Sequence, residues 1–145
     1  MTSSAREIVI SAWKAFASRE PELIASHFAE DAEWLAPAGN ATALALGISH
    51  HMVGREVIVR FLVEQFPKLF VESVHVDFRG IHAAGDTVFV EERMTATLRD
   101  GGHYENEYCF AFEVSNGRIL RVREYMDTAR GARCVFPEPR GVSDR

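Results

Sequence analysis

Cysteine is scarce in this chain: Cys109 and Cys134 are the two among 145 residues. They are too few for a disulfide framework and do not fall at a zinc-ligand spacing. No apolar run approaches the roughly 20 residues of a membrane span. The start, MTSSAREIVI, lacks the basic segment and long apolar stretch of a secretory leader. These absences predict a reduced, cytoplasmic setting. Basic residues are outnumbered, 16 Lys and Arg against 21 Asp and Glu for a net charge of −5. Neither a nucleic-acid reader nor an anionic-membrane binder is expected without a basic footprint. A Gly-rich phosphate loop is also missing, and neither a carboxylate nor a third histidine stands at ligand spacing from His50 and His51, so no nucleotide, metal or other cofactor is expected. Aromatic residues are what the chain does have. Ten phenylalanines with Trp13 and Trp34 can build a core or an apolar cavity. The length allows one domain, read here as residues 1–136 followed by a flexible tail, 137–145.

The first third reads as helix. Ser4 and Glu7 form a capping box, after which Ile8, Val9, Ala12, Trp13 and Phe16 fall on one stripe. Pro21 suits a first helical position and Gly54 opens a third helix, with a short strand at Glu33 to Leu35 between them. Residues 36–53 have no clean period. The second half reads as strands joined by turns at AAGD, RDGG and Asn116-Gly117. Helices first and an antiparallel meander second predict an α+β fold: three N-terminal helices on a strongly curved antiparallel sheet, a cone-like half barrel with an internal pocket.

Turn lengths set which side chains share a face. Pairing Leu98 with His103 and Ser115 with Arg118 puts Thr95, Asn106 and Asp127 in one row. Arg93, Tyr108 and Tyr125 form the next, then Glu91, Phe110 and Arg123, with Phe89, Phe112 and Arg121 behind. Polar groups among aromatics predict a cavity lining. The opposite face would carry Val88, Val90, Met94, Ala111 and Val122 with a scatter of acids including Glu92 and Glu124, and would need a second subunit as cover.

FAEDAEW, VGREVIVRFL, SNGRI and REYMDT, in that order across residues 5 to 135, resemble the SnoaL-like branch of the nuclear transport factor 2-like superfamily. It includes polyketide cyclases, ketosteroid isomerases and limonene epoxide hydrolases. The isomerase resemblance would place a base where Ala36 stands, with donors at Ala12 or Trp13 and at Tyr108, which argues against steroid isomerisation by that route. The epoxide-hydrolase resemblance matches at Arg93 and Asp127, but Thr95, Trp34 and Ala36 replace its other polar residues. The cyclase resemblance implies a single acid/base carboxylate, Asp127.

The resulting expectation is a cofactor-independent isomerase, cyclase or epoxide-hydrolase-like enzyme acting on an apolar, oxygenated small molecule. Asp127 would move the proton while Arg93 and Tyr108 steady the developing charge. Trp34, Phe89, Glu91, Thr95, Asn106, Phe110, Phe112 and Tyr125 would bind substrate, with His51 at the pocket mouth. Copies would pair through the outer sheet face. The alternative is a non-catalytic small-molecule binder or dimerising accessory domain, and for Asp127 a carboxylate that closes the final strand or caps the following turn through Thr128.

Overall fold

The structure, a computed structural model, describes residues 3–138; the tail expected from 137 therefore lies mostly outside the described residues. Helix α1 spans Ala5–Ser18, and the Ser4–Glu7 capping box is present in both directions. Val9, Ala12 and Phe16 are buried along one stripe, as the spacing predicts. Pro21 starts the short α2, Pro21–Ala25. Strand β1 covers Phe28–Leu35. The aperiodic stretch that follows contains α3, Ala41–Leu46, capped by the Asn40 side chain, and a short β2, His51–Val53.

Helix α4, Arg55–Arg60, runs into a wider π turn over Phe61–Gln65 and then α5, Phe66–Leu69. Pro67 explains the widening. Its ring would clash with the carbonyl four residues back, and one π turn relieves that clash without breaking the helix. The Phe66 N–H reaches back five residues to the Phe61 carbonyl. This turn presents Phe61, Leu62 and Phe66 to the sheet's concave side.

The sheet is built from β3 (Phe70–Ala84), β4 (Thr87–Leu98), β5 (His103–Ser115) and β6 (Arg118–Met126), with β1 and β2 added beyond β6. Its order is β2-β1-β6-β5-β4-β3. β1 lies parallel to β6, so the sheet is not wholly antiparallel. Asn116 and Gly117 both have positive φ, 51° and 77°, the mirror-image turn that matches strand twist. A final helix, α6 (Thr128–Val135), follows β6 directly and was not expected. Among the described residues no helix is long and apolar enough to cross a membrane.

Register departs from expectation at two places, each by one residue. Across the RDGG turn Thr97, rather than Leu98, stands opposite His103. At the other hairpin Ser115 does pair with Arg118, but β6 then accommodates an extra residue, Leu120, so that Glu113 meets Arg121. Side chains alternate with period 2, so each slip turns a whole strand over relative to β5. The inward face of β5 is as expected, with Asn106, Tyr108, Phe110 and Phe112 buried. On β4 and β6 the opposite set points inward: Val88, Val90, Glu92, Met94 and Val122 are all buried. The expected dimer face of Val88, Val90, Met94 and Val122 is therefore core.

Candidate functional site

A cavity of about 420 Å³ lies between the helices and the concave sheet. Trp13 and Phe16 of α1 form one wall, Phe61 of the π turn and Phe66 of α5 another, and Phe78, Tyr108 and Phe110 the sheet floor. Aromatic edges tie the walls together: Trp13 meets Phe78 and Phe110 at 5.4 and 5.2 Å between ring centroids, and Trp34 meets Phe110 at 6.0 Å. Tyr108 stacks on Phe110 at 5.6 Å.

Two carboxyl groups face that apolar space. Glu92 stands opposite Tyr108 across β4 and β5, and Glu124 stands opposite Phe110 across β5 and β6. Two inter-strand gaps separate them laterally by about 10 Å. Glu92 is 2% exposed, and its Oε1 has no hydrogen-bond partner among the described residues. Burial pushes its carboxyl up to about 8, with the Glu124 charge adding to the effect. Glu124 Oε1 accepts a hydrogen bond from Trp34 Nε1 at 2.8 Å. Burial pushes Glu124 up to about 7, held back by that Trp34 donor.

A buried hydroxyl chain completes the floor. The Tyr104 and Tyr108 hydroxyls lie 2.5 Å apart, and Asn106 Nδ2 donates to Tyr104 Oη at 3.1 Å and to the Asp127 carbonyl at 3.0 Å. Burial raises both phenols above their ordinary value. Since Asn106 Nδ2 can only donate, this chain can leave the Tyr108 hydroxyl hydrogen free for a cavity oxygen.

Of the residues singled out in the sequence, Trp34, Tyr108 and Phe110 line the cavity. Asn106 and Phe112 are fully buried on the same side, as supports behind the wall. The others lie elsewhere. Arg93 is on the outer face, 2.7 Å from Glu105, and its guanidinium holds that carboxyl below the usual range. Glu91, Thr95 and Phe89 share that face, opposite Cys109, Glu105 and Ala111. Tyr125 is exposed there too. All are corrections with one cause, the inverted parity of β4 and β6. His51 bonds Glu33 at 2.7 Å on the sheet surface and not at the cavity mouth. Asp127 is exposed and is the N-cap of α6, accepting from the Arg130 N–H at 2.9 Å. A cap of this kind contributes about 1 kcal/mol. The carboxylate thus takes the capping role, because β6 ends at Met126 and a helix begins.

Glu92 and Glu124 were missed, although a signal existed. Val88, Val90, Met94, Ala96 and Leu98 alternate along β4, and Glu92 is the one charge in that apolar set. Glu124 sits likewise between Val122 and Met126.

An α+β half barrel closing helices over an aromatic cavity is the architecture of the nuclear transport factor 2-like proteins. The SnoaL-like domain family matches residues 9–122, and the chain belongs to that family. Its fold is similar to that of a nuclear transport factor 2-like protein of unknown function from Burkholderia pseudomallei K96243, at 18% identity and TM-score 0.80, covering 93% of this chain and 99% of that one. TerC, co-crystallised with polyporic acid, is similar at 22% identity and TM-score 0.78, covering 92% and 98%. An epoxide hydrolase of the limonene type from M. tuberculosis is similar at 19% identity and TM-score 0.70, covering 92% and 90%. Comparison with curated proteins gave no match.

Proposed function

We propose that this protein is an acid/base enzyme that binds an apolar, oxygen-bearing small molecule in the aromatic cavity and moves a proton with Glu124. The observation that carries the reading is the placement of two carboxyls, Glu92 and Glu124, on either side of the Tyr108–Phe110 stack within one apolar space. A buried carboxyl is expensive to maintain without a role. Trp34 fixes Glu124 without neutralising it. Ionised, Glu124 can take a proton from carbon beside a substrate carbonyl, as the bond's electron pair moves onto the carbonyl oxygen. Neutral Glu92 and the Tyr108 hydroxyl can donate hydrogen bonds to that oxygen. Returning the proton to another carbon is isomerisation; attack of the enolate on a second carbonyl is cyclisation. Polyporic acid in TerC and epoxide hydrolysis in the M. tuberculosis relative lend support at the level of fold.

The test is a ¹³C NMR titration of the glutamate carboxyls. We expect two to titrate near 7 and near 8, and Glu124→Gln and Glu92→Gln to remove one each. If all glutamates titrate near the ordinary carboxylate value, the non-catalytic binder becomes the better reading.

We propose further that two copies pair through the outer sheet face. Phe89, Cys109 and Tyr125 form its apolar centre, flanked by the Arg93–Glu105, Arg79–Glu107 and Arg121–Glu113 pairs. Tyr125→Arg should convert a dimer to a monomer in sedimentation velocity. A wild-type chain that sediments as a monomer at high micromolar concentration refutes this pairing.

A further inference from the structure

One charged side chain lines the cavity without a part in the chemistry above. Arg19 closes α1 in a left-handed conformation, φ 61°, where glycine or asparagine is the usual occupant. Its position is held from two sides. Nη1 donates to the Leu62 carbonyl at 3.1 Å, and the guanidinium carbon lies 4.9 Å from the centre of the Phe66 ring. Among the described residues no carboxylate lies within ion-pair distance of it. Most of its five N–H donors are left uncommitted. Half-burial in the cavity wall lowers its pKa from the ordinary arginine value.

Two further polar groups of the cavity lack a partner among the described residues. Trp13 Nε1 is buried in the cavity wall with no partner among the described residues, and an indole N–H can only donate. Glu92 carries the other orphan atom. Burial raises its carboxyl to about 8, and in the neutral form that group offers one O–H donor beside an acceptor oxygen. Trp13 and Glu92 both flank Phe78, which pairs with Glu92 across β3 and β4 and meets Trp13 edge-on at 5.4 Å between ring centroids. The cavity therefore offers donors near Glu92, a fixed cation at Arg19, and aromatic faces between them.

We infer that the ligand is an anion: a flat, apolar, ring-bearing acid whose carboxylate, or a comparably charged oxygen, lies against Arg19 while a second acceptor oxygen meets Trp13 and Glu92. The inference rests on the proposal that this cavity is the ligand site, and it supplies the charge and acceptor pattern of what enters. A cationic group placed at Arg19 would meet a like charge and could not accept from the Trp13 N–H. A neutral alcohol would leave the guanidinium without a counter-ion.

The probes are three naphthalenes of one size: 2-naphthoate, 2-naphthalenemethanol and (2-naphthyl)methylammonium. Each is titrated at pH 7 into the full chain, with affinity from equilibrium dialysis and location from ¹H–¹⁵N shifts of cavity residues. We expect 2-naphthoate to bind at least about tenfold more tightly than the alcohol, as a charge-assisted, bidentate contact implies. Arg19→Gln should erase that margin, with the alcohol still shifting the same cavity residues. Arg19→Lys should retain part of it, since a point charge replaces the fork. If the alcohol or the ammonium binds as tightly as the carboxylate, or the carboxylate's advantage survives Arg19→Gln, the anion inference is wrong while the cavity remains the ligand site. If no probe shifts a cavity residue, the cavity reading falls as well.

Discussion

Glu92→Gln should make the protein's stability much less dependent on pH. In the folded chain burial raises the Glu92 carboxyl from 4.5 to about 8. An unfolded chain ionises it near the ordinary value. Between those two values the folded state holds a proton that the unfolded state has lost, so stability falls as pH rises. The contribution is neutral below the lower value and fully unfavourable above the upper one. Its size at pH 8.5 is no more than about 5 kcal/mol, at 1.36 kcal/mol per unit. Glutamine keeps the shape and cannot ionise. It does leave a buried amide beside an unpartnered site, at roughly 1–3 kcal/mol. We therefore expect Glu92→Gln to be equal to or weaker than wild type at pH 5 and more stable at pH 8.5, in urea midpoints. Glu124, raised to about 7, pulls in the same direction, so the single variant keeps a residual slope that the Glu92→Gln, Glu124→Gln pair removes. Parallel wild-type and Glu92→Gln curves across this range would mean that the carboxyl is hydrated in solution.

Glu124→Gln should lower turnover of any substrate found by about 10²–10⁴, the usual contribution of a positioned acid or base. Binding and folding should survive, because the amide still accepts from Trp34 Nε1 through its carbonyl oxygen. The Trp34 partner gives an independent check. That hydrogen bond favours the ionised form of Glu124 and holds its pKa down. Trp34→Phe removes the donor and keeps an aromatic ring, so Glu124 should ionise at higher pH. Where the reactive form is the carboxylate, kcat/KM rises with pH through about 7 in wild type, and the rise should move upward in Trp34→Phe. A purely structural Trp34 would lower the rate without moving the profile. Turnover that persists in Glu124→Gln assigns the proton transfer to another group.

Much of the chain could be read locally. The Ser4–Glu7 capping box, Pro21 at the start of α2, Gly54 before α4 and the Asn116-Gly117 turn are all contacts within a few residues, and each is where the residue types place it. Family-order motifs were enough to identify the SnoaL-like fold. So was the inward face of β5, where Tyr108 and Phe110 were expected in the cavity and are found there.

What the sequence by itself determined is therefore α1, α2, α4 and the long strands in their order, with an aromatic cavity beneath the helices; α3, β2 and α6 were not legible in it. Tertiary structure decided which carboxylates look into the cavity. Arg93 and Asp127 were expected inside and lie outside; Glu92 and Glu124 were assigned to the outer face and lie within. The cause is small in sequence and large in space. One residue in how the RDGG turn closes, and one extra residue at Leu120, invert two strands about a correctly placed third. Turn composition does not resolve a single residue of register. Burying Val88, Val90, Met94 and Val122 does, since each is worth roughly 1.5–3 kcal/mol once removed from water. The helices supply that cover only when the whole chain is folded, and the two glutamates are carried inward with the aliphatic side chains beside them.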